Sequence, residues 1–508
     1  MFVRKKQNKS GSISVQIIEK SNGINKLIKT IGCSKDKFRV EHLYQEGLRY
    51  ISERQGQSRL DLFEEDNAVW FAEVFSSIKN VKLIGPELIL GKLFDQIGFN
   101  SVGDELFRHL VLSRIINPSS KLKTVRDLKT FYGVDYSVDV IYRYMDNIVN
   151  TLKDQIEQIS YEHTLSLFGG VMSMVFYDVT TIYFEAEKED ELRVTGFSKE
   201  GKHKHPQVLL GLLVSLDGYP LGYDIFPGNT YEGHTMLPVL KSFSSKFGIK
   251  KLVIVADSGL LTNSNIEQLS KAGYSFILGA RIKSEPKAVK NQITSLTLKD
   301  GEYQIIRKQG KQKLIVHYSE KRAKKDKFNR ERGLKRLESA LKKGKLTKSH
   351  INNRGYNKYL QMEGDVAITI DYEKFETDQK WDGLKGYLTN TNHDPKTIIA
   401  NYAELWKIEK AFRVSKTDLK VRPIFHRIQS RIEAHICISF TAYKIYKELE
   451  RLLKLKQSNI TVNRAIEIIK TTQQITLVHP RSKKTKTQIL IHNKDQKELL
   501  KLFEINHG

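Results

Sequence analysis

Two short apolar runs, each closed by an aspartate, constrain this chain more than any other feature. Val171–Tyr177 (VMSMVFY) and Lys251–Ala256 (KLVIVA) are followed directly by Asp178 and Asp257. Runs of this length, with little polar interruption, read as strands buried on both faces. Open α/β sheets place their ligand sites at the carboxyl ends of such strands. One aspartate at a strand end means little, but two on neighbouring parallel strands make the start of an oxygen-ligand cluster.

The segments around these runs supply an order. Val208–Ser215 and Leu221–Phe226 flank Asp217-Gly218, a strong hairpin signal. Thr235–Phe247 and Asn263–Ala272 read as helices, and Ser275–Ala280 as a further strand. The sequence β-β-β-α-β-α-β is that of a ribonuclease-H-like domain, with its first strand central and its fourth strand the parallel neighbour. The predicted fold class is therefore α/β: a ribonuclease-H-like catalytic core, interrupted by a β-rich insertion and preceded by a helical N-terminal region.

The remaining chain is placed around that core. Ser12–Ile18 and Lys26–Ile31 predict a hairpin through Ser-Asn-Gly, and Phe38–Glu53 a helix. Four short helices are predicted over Pro86–Ile97, Asp104–Ile116, Ser120–Phe131 and Asp139–Lys153. They fit a helix-turn-helix-like DNA reader and a small helical bundle equally well. Beyond the core strands, Glu302–Ile306 and Gln312–Tyr318 predict a hairpin, and Ser319–Lys348 a long helix. Val366–Ile370 and Leu384–Leu388 predict strands returning to the core. The expected divisions are residues 1–84 (hairpin and helix), 85–168 (helical, DNA-binding), 169–284 with 381–450 (catalytic core), 285–380 (basic insertion) and 451–508 (basic tail).

Charge indicates the partner. Lys and Arg number 84 against 58 Asp and Glu, a net +26. An excess of this size suits a polyanion better than a small metabolite. Within Lys321–Lys348 there are thirteen cations and three acids, which cannot be neutralised by pairing along a helix. Phosphate contact is the reading for that arm. Two cysteines, Cys33 and Cys437, exclude a disulfide framework and a cysteine-rich zinc site. The N-terminal MFVRKKQNKSGS has no apolar core, and the longest apolar run is too short to span a bilayer. A cytoplasmic protein with no membrane contact is expected.

A third acid comes from Asn401–Phe440. Tyr402, Leu405, Glu409, Phe412 and Lys416 recur at steps of three and four, which predicts one face of an amphipathic helix. Glu409 would then be an acid on a core-facing stripe, and Trp406 and Phe412 are read as helix packing. Three carboxylates gathered at one place need a cation to stay ionised together. Oxygen ligands without His or Cys favour Mg²⁺ or Mn²⁺. Two such ions would activate a water or 3′-hydroxyl and stabilise the leaving oxygen of a phosphodiester.

The residues also carry a resemblance. Tyr402, Glu409 and Lys416 are similar to the Y-x2-R-x3-E-x6-K signature of DDE-type insertion-sequence transposases, the insertion-sequence-four superfamily. The blocks YDVTTIYFE (Tyr177–Glu185), GFSKEGKHKHPQV (Gly196–Val208), GNTYEGHT (Gly228–Thr235), ADSGL (Ala256–Leu260) and DGLKGYLTN (Asp382–Asn390) resemble its sixteen-thirty-four branch. So does LWKIEKAFRVSKTDLKVRPIFH at Leu405–His426. The resemblance implies that Asp178, Asp257 and Glu409 are the catalytic and metal-binding acids, with two Mg²⁺ or Mn²⁺ per site and no small-molecule cofactor. It implies DNA contact for Tyr402 and Lys416, and Lys199 and Lys202 of the Gly196–Val208 block are grouped with them. Leu405 stands where the signature has Arg, so that role is absent or transferred, Arg413 being the first substitute and Lys407 a weaker one. The implied activity is cleavage at terminal inverted repeats and strand transfer to target DNA by a homodimer holding paired ends.

Overall fold

The computed structural model describes residues 1–21, 23–54, 71–72, 74–198, 201, 204–249, 251–260, 262–363, 367–479 and 482–505. They fall into two units, Met1–Val81 with Ile475–Gln488, and Lys82–Gln474 with Ile489–Gly508.

In the first unit the predicted hairpin is part of a three-stranded antiparallel sheet. Strand β1 (Phe2–Gln7) pairs with β2 (Ile13–Ser21), and β2 with β3 (Ile24–Ser34). The helix Lys37–Arg54 packs across it, burying Val40, Leu43 and Ile51 with Val3, Val15 and Ile17. Strands β4 (Ile78–Leu83), β15 (Gln473–Val478) and β16 (Thr485–Leu490) form a small sheet of their own, ordered β16-β15-β4.

The second unit is built on an eight-stranded mixed sheet. Its strands are β5 (Met174–Tyr183), β6 (Gln207–Ser215), β7 (Pro220–Pro227), β8 (Val253–Ala256), β9 (Ser275–Ala280), β10 (Tyr303–Arg307), β11 (Lys313–Tyr318) and β14 (Leu384–Thr389). The order is β7-β6-β5-β8-β9-β14-β11-β10. Only β5–β8 and β8–β9 are parallel pairs. Along the chain, the first five strands read 3-2-1-4-5 across the sheet with the first one central, the ribonuclease-H order expected from sequence. Helices cover both faces. On one side Met236–Phe247 and Asn263–Lys271 pack on Val175, Tyr177, Ile254 and Phe276. On the other, Val138–Leu167, Trp406–Thr417 and Gln429–Leu455 pack on Phe176, Val255 and Ile277.

Three expectations change. Strand β5 does not stop at Asp178: Val179–Tyr183, β-branched and aromatic, continue the ladder to β6. What ends there is the parallel ladder with the four-residue β8, at Tyr177 opposite Ala256. The Tyr303–Tyr318 hairpin is not separate from the core, because β14 offers a free antiparallel edge and β11 pairs along all of it. Finally, Ala367–Ile370 (β13) does not return to that sheet; Val366 lies outside the described residues. It pairs only with β12 (Leu360–Glu363), in a satellite core with Leu337, Tyr359 and Phe375.

The helical N-terminal region is a bundle fused to the core. The helix Glu105–Ile116 is buried around most of its circumference, from Leu106 through Ile116. No helix among the described residues is long and apolar enough to cross a membrane.

Candidate active site

Strand alternation fixes the direction of the two aspartates. Phe176 and Val255 face the helices Trp406–Thr417 and Gln429–Leu455, while Tyr177 and Ala256 face the opposite layer. With a period of two, Asp178 and Asp257 point the same way as Phe176 and Val255. They come directly after Tyr177 and Ala256, the last pair of the parallel ladder. Asp178 is half-buried and accepts from the Val179 amide at 2.8 Å, whereas Asp257 is exposed.

Asp257 is held by Tyr402. The buried Tyr402 hydroxyl donates to Asp257 Oδ1 at 2.9 Å. Burial and the adjoining Asp257 charge raise the phenol above its ordinary range, so it stays a donor. The ring fits because residue 279 is glycine: a Cβ there would meet the Tyr402 hydroxyl at 2.3 Å. Lys385 lies over the Tyr402 ring at 4.3 Å. Burial and Arg322 push its ammonium below the usual lysine range, against the opposing charges of Asp257 and Glu409. Both acids therefore act on one cation.

Glu409 does not sit as predicted. Tyr402 and Glu409 belong to different helices, Pro395–Ala403 and Trp406–Thr417. Between them the bonds tighten to the i→i+3 pattern: Glu404 to Asn401, Leu405 to Tyr402, Lys407 to Glu404 and Ile408 to Leu405. Each such residue turns about 20° further than in an α-helix. The phase shift puts Leu405, Ile408, Ala411 and Phe412 in the core and leaves Glu409 exposed. Trp406, read as packing, is 49% exposed on the outer side. Among the described residues, no three His, Cys, Asp or Glu side chains are grouped so as to hold a metal ion. The donor chemistry nonetheless suits a hard cation. Mg²⁺ is commonly held by one or two carboxylates and completed by water and substrate phosphate.

The other expected contacts scatter. Lys416 is half-buried in the last turn of its helix. Arg413 is exposed, with its charge acting on Tyr446 of the long helix. Lys199 and Lys202 lie outside the described residues.

Beside Asp257 opens a cavity of about 790 Å³ that the sequence did not announce as a site. Eight Lys and Arg line it against four Asp, Asp257 among them. Arg322, Arg330, Arg332 and Arg336 come from the helix Glu320–Lys342, so the basic arm turns toward Asp257. Several of these cations are internally paired: Arg330 to Asp382 at 2.7 Å, Lys283 to Asp378 at 2.8 Å, and Lys358 to Asp378. Lys385 was not singled out from sequence. Its signal was a lysine two residues before Tyr387 on a strand, which alternation places on the Tyr387 face.

A family profile described as a transposase DDE domain matches residues 169–445, more than half of the chain. The chain belongs to the DDE-domain transposase family. The matched span runs from β5 through most of the helix Gln429–Leu455 and contains Asp178, Asp257 and Glu409. Among solved structures, this transposase is similar to a piggyBac transposase synaptic complex with hairpin DNA, with TM-score 0.40 and 9% identity over 72% of this chain and 69% of that one. It is also similar to a Mos1 transposase paired-end complex with left transposon end, with TM-score 0.16 and 10% identity over 33% of this chain and 56% of that one. These likenesses are too distant to bear on activity. No curated protein matches the chain.

Proposed function

We propose that this protein is an insertion-sequence transposase of the insertion-sequence-four superfamily, sixteen-thirty-four branch. In this reading it cleaves phosphodiester bonds at the terminal inverted repeats of its element and joins the freed 3′-hydroxyls to target DNA. The observation that carries the reading is the combination of two features: Asp178 and Asp257 directly after the last pair of the central parallel ladder, and a cation-lined cavity opening on Asp257. A phosphodiester needs an acidic, metal-competent centre and a basic surface for the rest of its backbone.

Asp178 and Asp257 would hold Mg²⁺ or Mn²⁺, with Glu409 supplying a further carboxylate. Two bound ions would activate the attacking oxygen and stabilise the leaving one. Tyr402 orients Asp257 through its hydrogen bond. Lys385 offsets negative charge between Asp257 and Glu409. The arginines of Glu320–Lys342 hold the DNA backbone without reading sequence. A homodimer on paired ends, working on DNA in the cytoplasm, completes the proposal.

The test is a purified-protein assay in which a pre-cleaved element end is offered to supercoiled plasmid with Mg²⁺. Joined product, lost in Asp178→Asn, is expected. Cleavage without joining would reassign the protein as a nuclease of the same fold. The exposed, ungrouped Glu409 favours a second reading, a DNA-binding protein without catalysis. DNA binding that persists with neither cleavage nor joining would establish that reading.

A further inference from the structure

A second cation-rich cavity lies away from the aspartate pair. Its volume is about 200 Å³, room for an anion and a few waters at about 30 Å³ each. Arg114, on the helix Glu105–Ile116, is 5% exposed. Lys121, which opens the next short helix, is 4% exposed. His435, on the helix Gln429–Leu455, is 5% exposed. His426 completes the wall, and Lys420 and Phe425 stand exposed at the rim.

The hydrogen bonding settles the state of His435. His435 Nε2 faces the Val421 carbonyl at 2.9 Å and must donate to it. Its Nδ1 therefore accepts from Arg114 Nη2 at 3.2 Å, and the ring is neutral. Arg114, Lys121 and Arg422 are the basic groups of the wall, with Lys420 at the rim, and among the described residues no carboxylate lines the cavity. Among the same residues Lys121 makes no hydrogen bond or ion pair, and Ser119 Oγ, also in the wall, is buried without a partner. Asp146, whose charge acts on His426, is taken by Arg431 at 2.7 and 2.9 Å. Burial and Arg114 together hold Lys121 far below the ordinary lysine range. Arg114 is itself lowered by burial to about 10, and His426 to about 4 by burial and by Lys121 and Arg114. Lys121 and Arg114 oppose one another, and among the described residues of the wall there is no carboxylate to compensate them.

We infer that this cavity binds a phosphate group through Lys121, Arg114 and Ser119. Buried cations are ordinarily paired, and a dianion of this size would supply the missing partner. The cavity is anchored to the catalytic sheet: the Ile424 amide donates to the Tyr183 carbonyl at 3.2 Å, and Phe184 bridges to Ile424. Tyr183 lies five residues beyond Asp178 on β5, about 16 Å at 3.3 Å per residue. The pocket thus sits apart from the reaction site, within reach of the same duplex. A DNA backbone phosphate and free inorganic phosphate share this chemistry. The DNA source rests on the transposase reading; the inorganic source does not.

The experiment uses the full-length protein. Thermal melting is followed in sodium phosphate and in sodium chloride of equal ionic strength. Binding of a short duplex is measured between 50 and 200 mM salt, for wild type, Lys121→Met and the rim variant Lys420→Gln. A Tm rise specific to phosphate, lost in Lys121→Met and reduced in Lys420→Gln, establishes the site with free phosphate as ligand. No phosphate-specific rise, but about tenfold weaker DNA binding and a salt slope lower by about one in Lys121→Met, establishes it with backbone phosphate. Should Lys121→Met fail to fold, Lys420→Gln reads the same two quantities. A protein with no phosphate-specific rise, whose folded variants bind DNA with the wild-type slope, overturns the inference. A phosphate rise without any DNA binding keeps the pocket and removes the DNA reading.

Discussion

The two cation-lined cavities of this transposase differ in the company their cations keep. Beside Asp257, Arg330 is tied to Asp382, Lys283 and Lys358 share Asp378, and Arg322 reaches Asp326 at 3.4 Å. Around Lys121 the described residues put no carboxylate in the wall. A cavity whose cations are partly paired with its own acids carries less uncompensated charge when empty. A cavity whose buried cations lack counter-charges is complete only with a ligand. On the proposed reading the same chemistry serves two ends: a broad, partly paired surface beside Asp257, and a small pocket near the far end of β5.

The contrast can be broken at its acidic end. Asp257→Asn should lower single-turnover cleavage of an end-bearing duplex by about 10²–10³-fold, the size of losing one charge-stabilising group at a reacting centre. A loss below tenfold would move the chemistry out of the Asp257 cavity. Tyr402→Phe removes the donor to Asp257 Oδ1 and keeps the ring. The Mg²⁺ concentration for half-maximal cleavage should rise about 10–100-fold, as for other ligand-orienting partners. An unchanged Mg²⁺ dependence would leave Tyr402 as packing.

Smaller effects sharpen the comparison. Arg330, only 8% exposed, faces Asp382 at 17%. Arg330→Ala leaves that carboxylate unpartnered and should cost about 1–3 kcal/mol in urea unfolding. Lys283→Ala, at a half-exposed cation, should cost under about 1 kcal/mol. Equal costs would mean that the cavity's pairs are not graded by burial. Acid should reveal the clamp on the Glu409 helix, where Lys410 binds Glu450 of the long helix. Burial pushes the Glu450 carboxyl up, but Lys410 and Lys447 overcome it and bring it to about 2, below its ordinary 4.5. The unfolded chain then binds more protons between those values, so this stabilisation is present above 4.5 and is lost as pH falls toward 2. Wild type should exceed Glu450→Gln in Tm at neutral pH, with the gap closing across that window.

Much of the second unit was readable from local pattern. Strands β5 to β9 lie close to where apolar runs and the Asp217-Gly218 turn place them, because burial on both faces demands continuous apolar sequence. The edges were harder. Nothing local in Tyr303–Tyr318 says that β14 has an open edge for it, and nothing in Ala367–Ile370 says that it does not. The face of Glu409 was misread for a similar reason. A regular 3.6-residue count runs through Glu404 and Leu405, whereas the folded chain tightens there and rotates the helix beyond.

By itself, then, the sequence determined the order of the core strands, the strand runs that Asp178 and Asp257 follow, and the basic character of the arm. Each stems from composition or period over a few consecutive residues. Tertiary structure alone decided that Tyr402 holds Asp257, that Glu409 faces outward, and that Arg114 and Lys121 meet in a pocket that no carboxylate lines among the described residues. Those facts depend on side chains from distant segments, such as residues 257 and 402 or 121 and 435, and on which counter-charges packing brings near. A linear pattern carries no term for either.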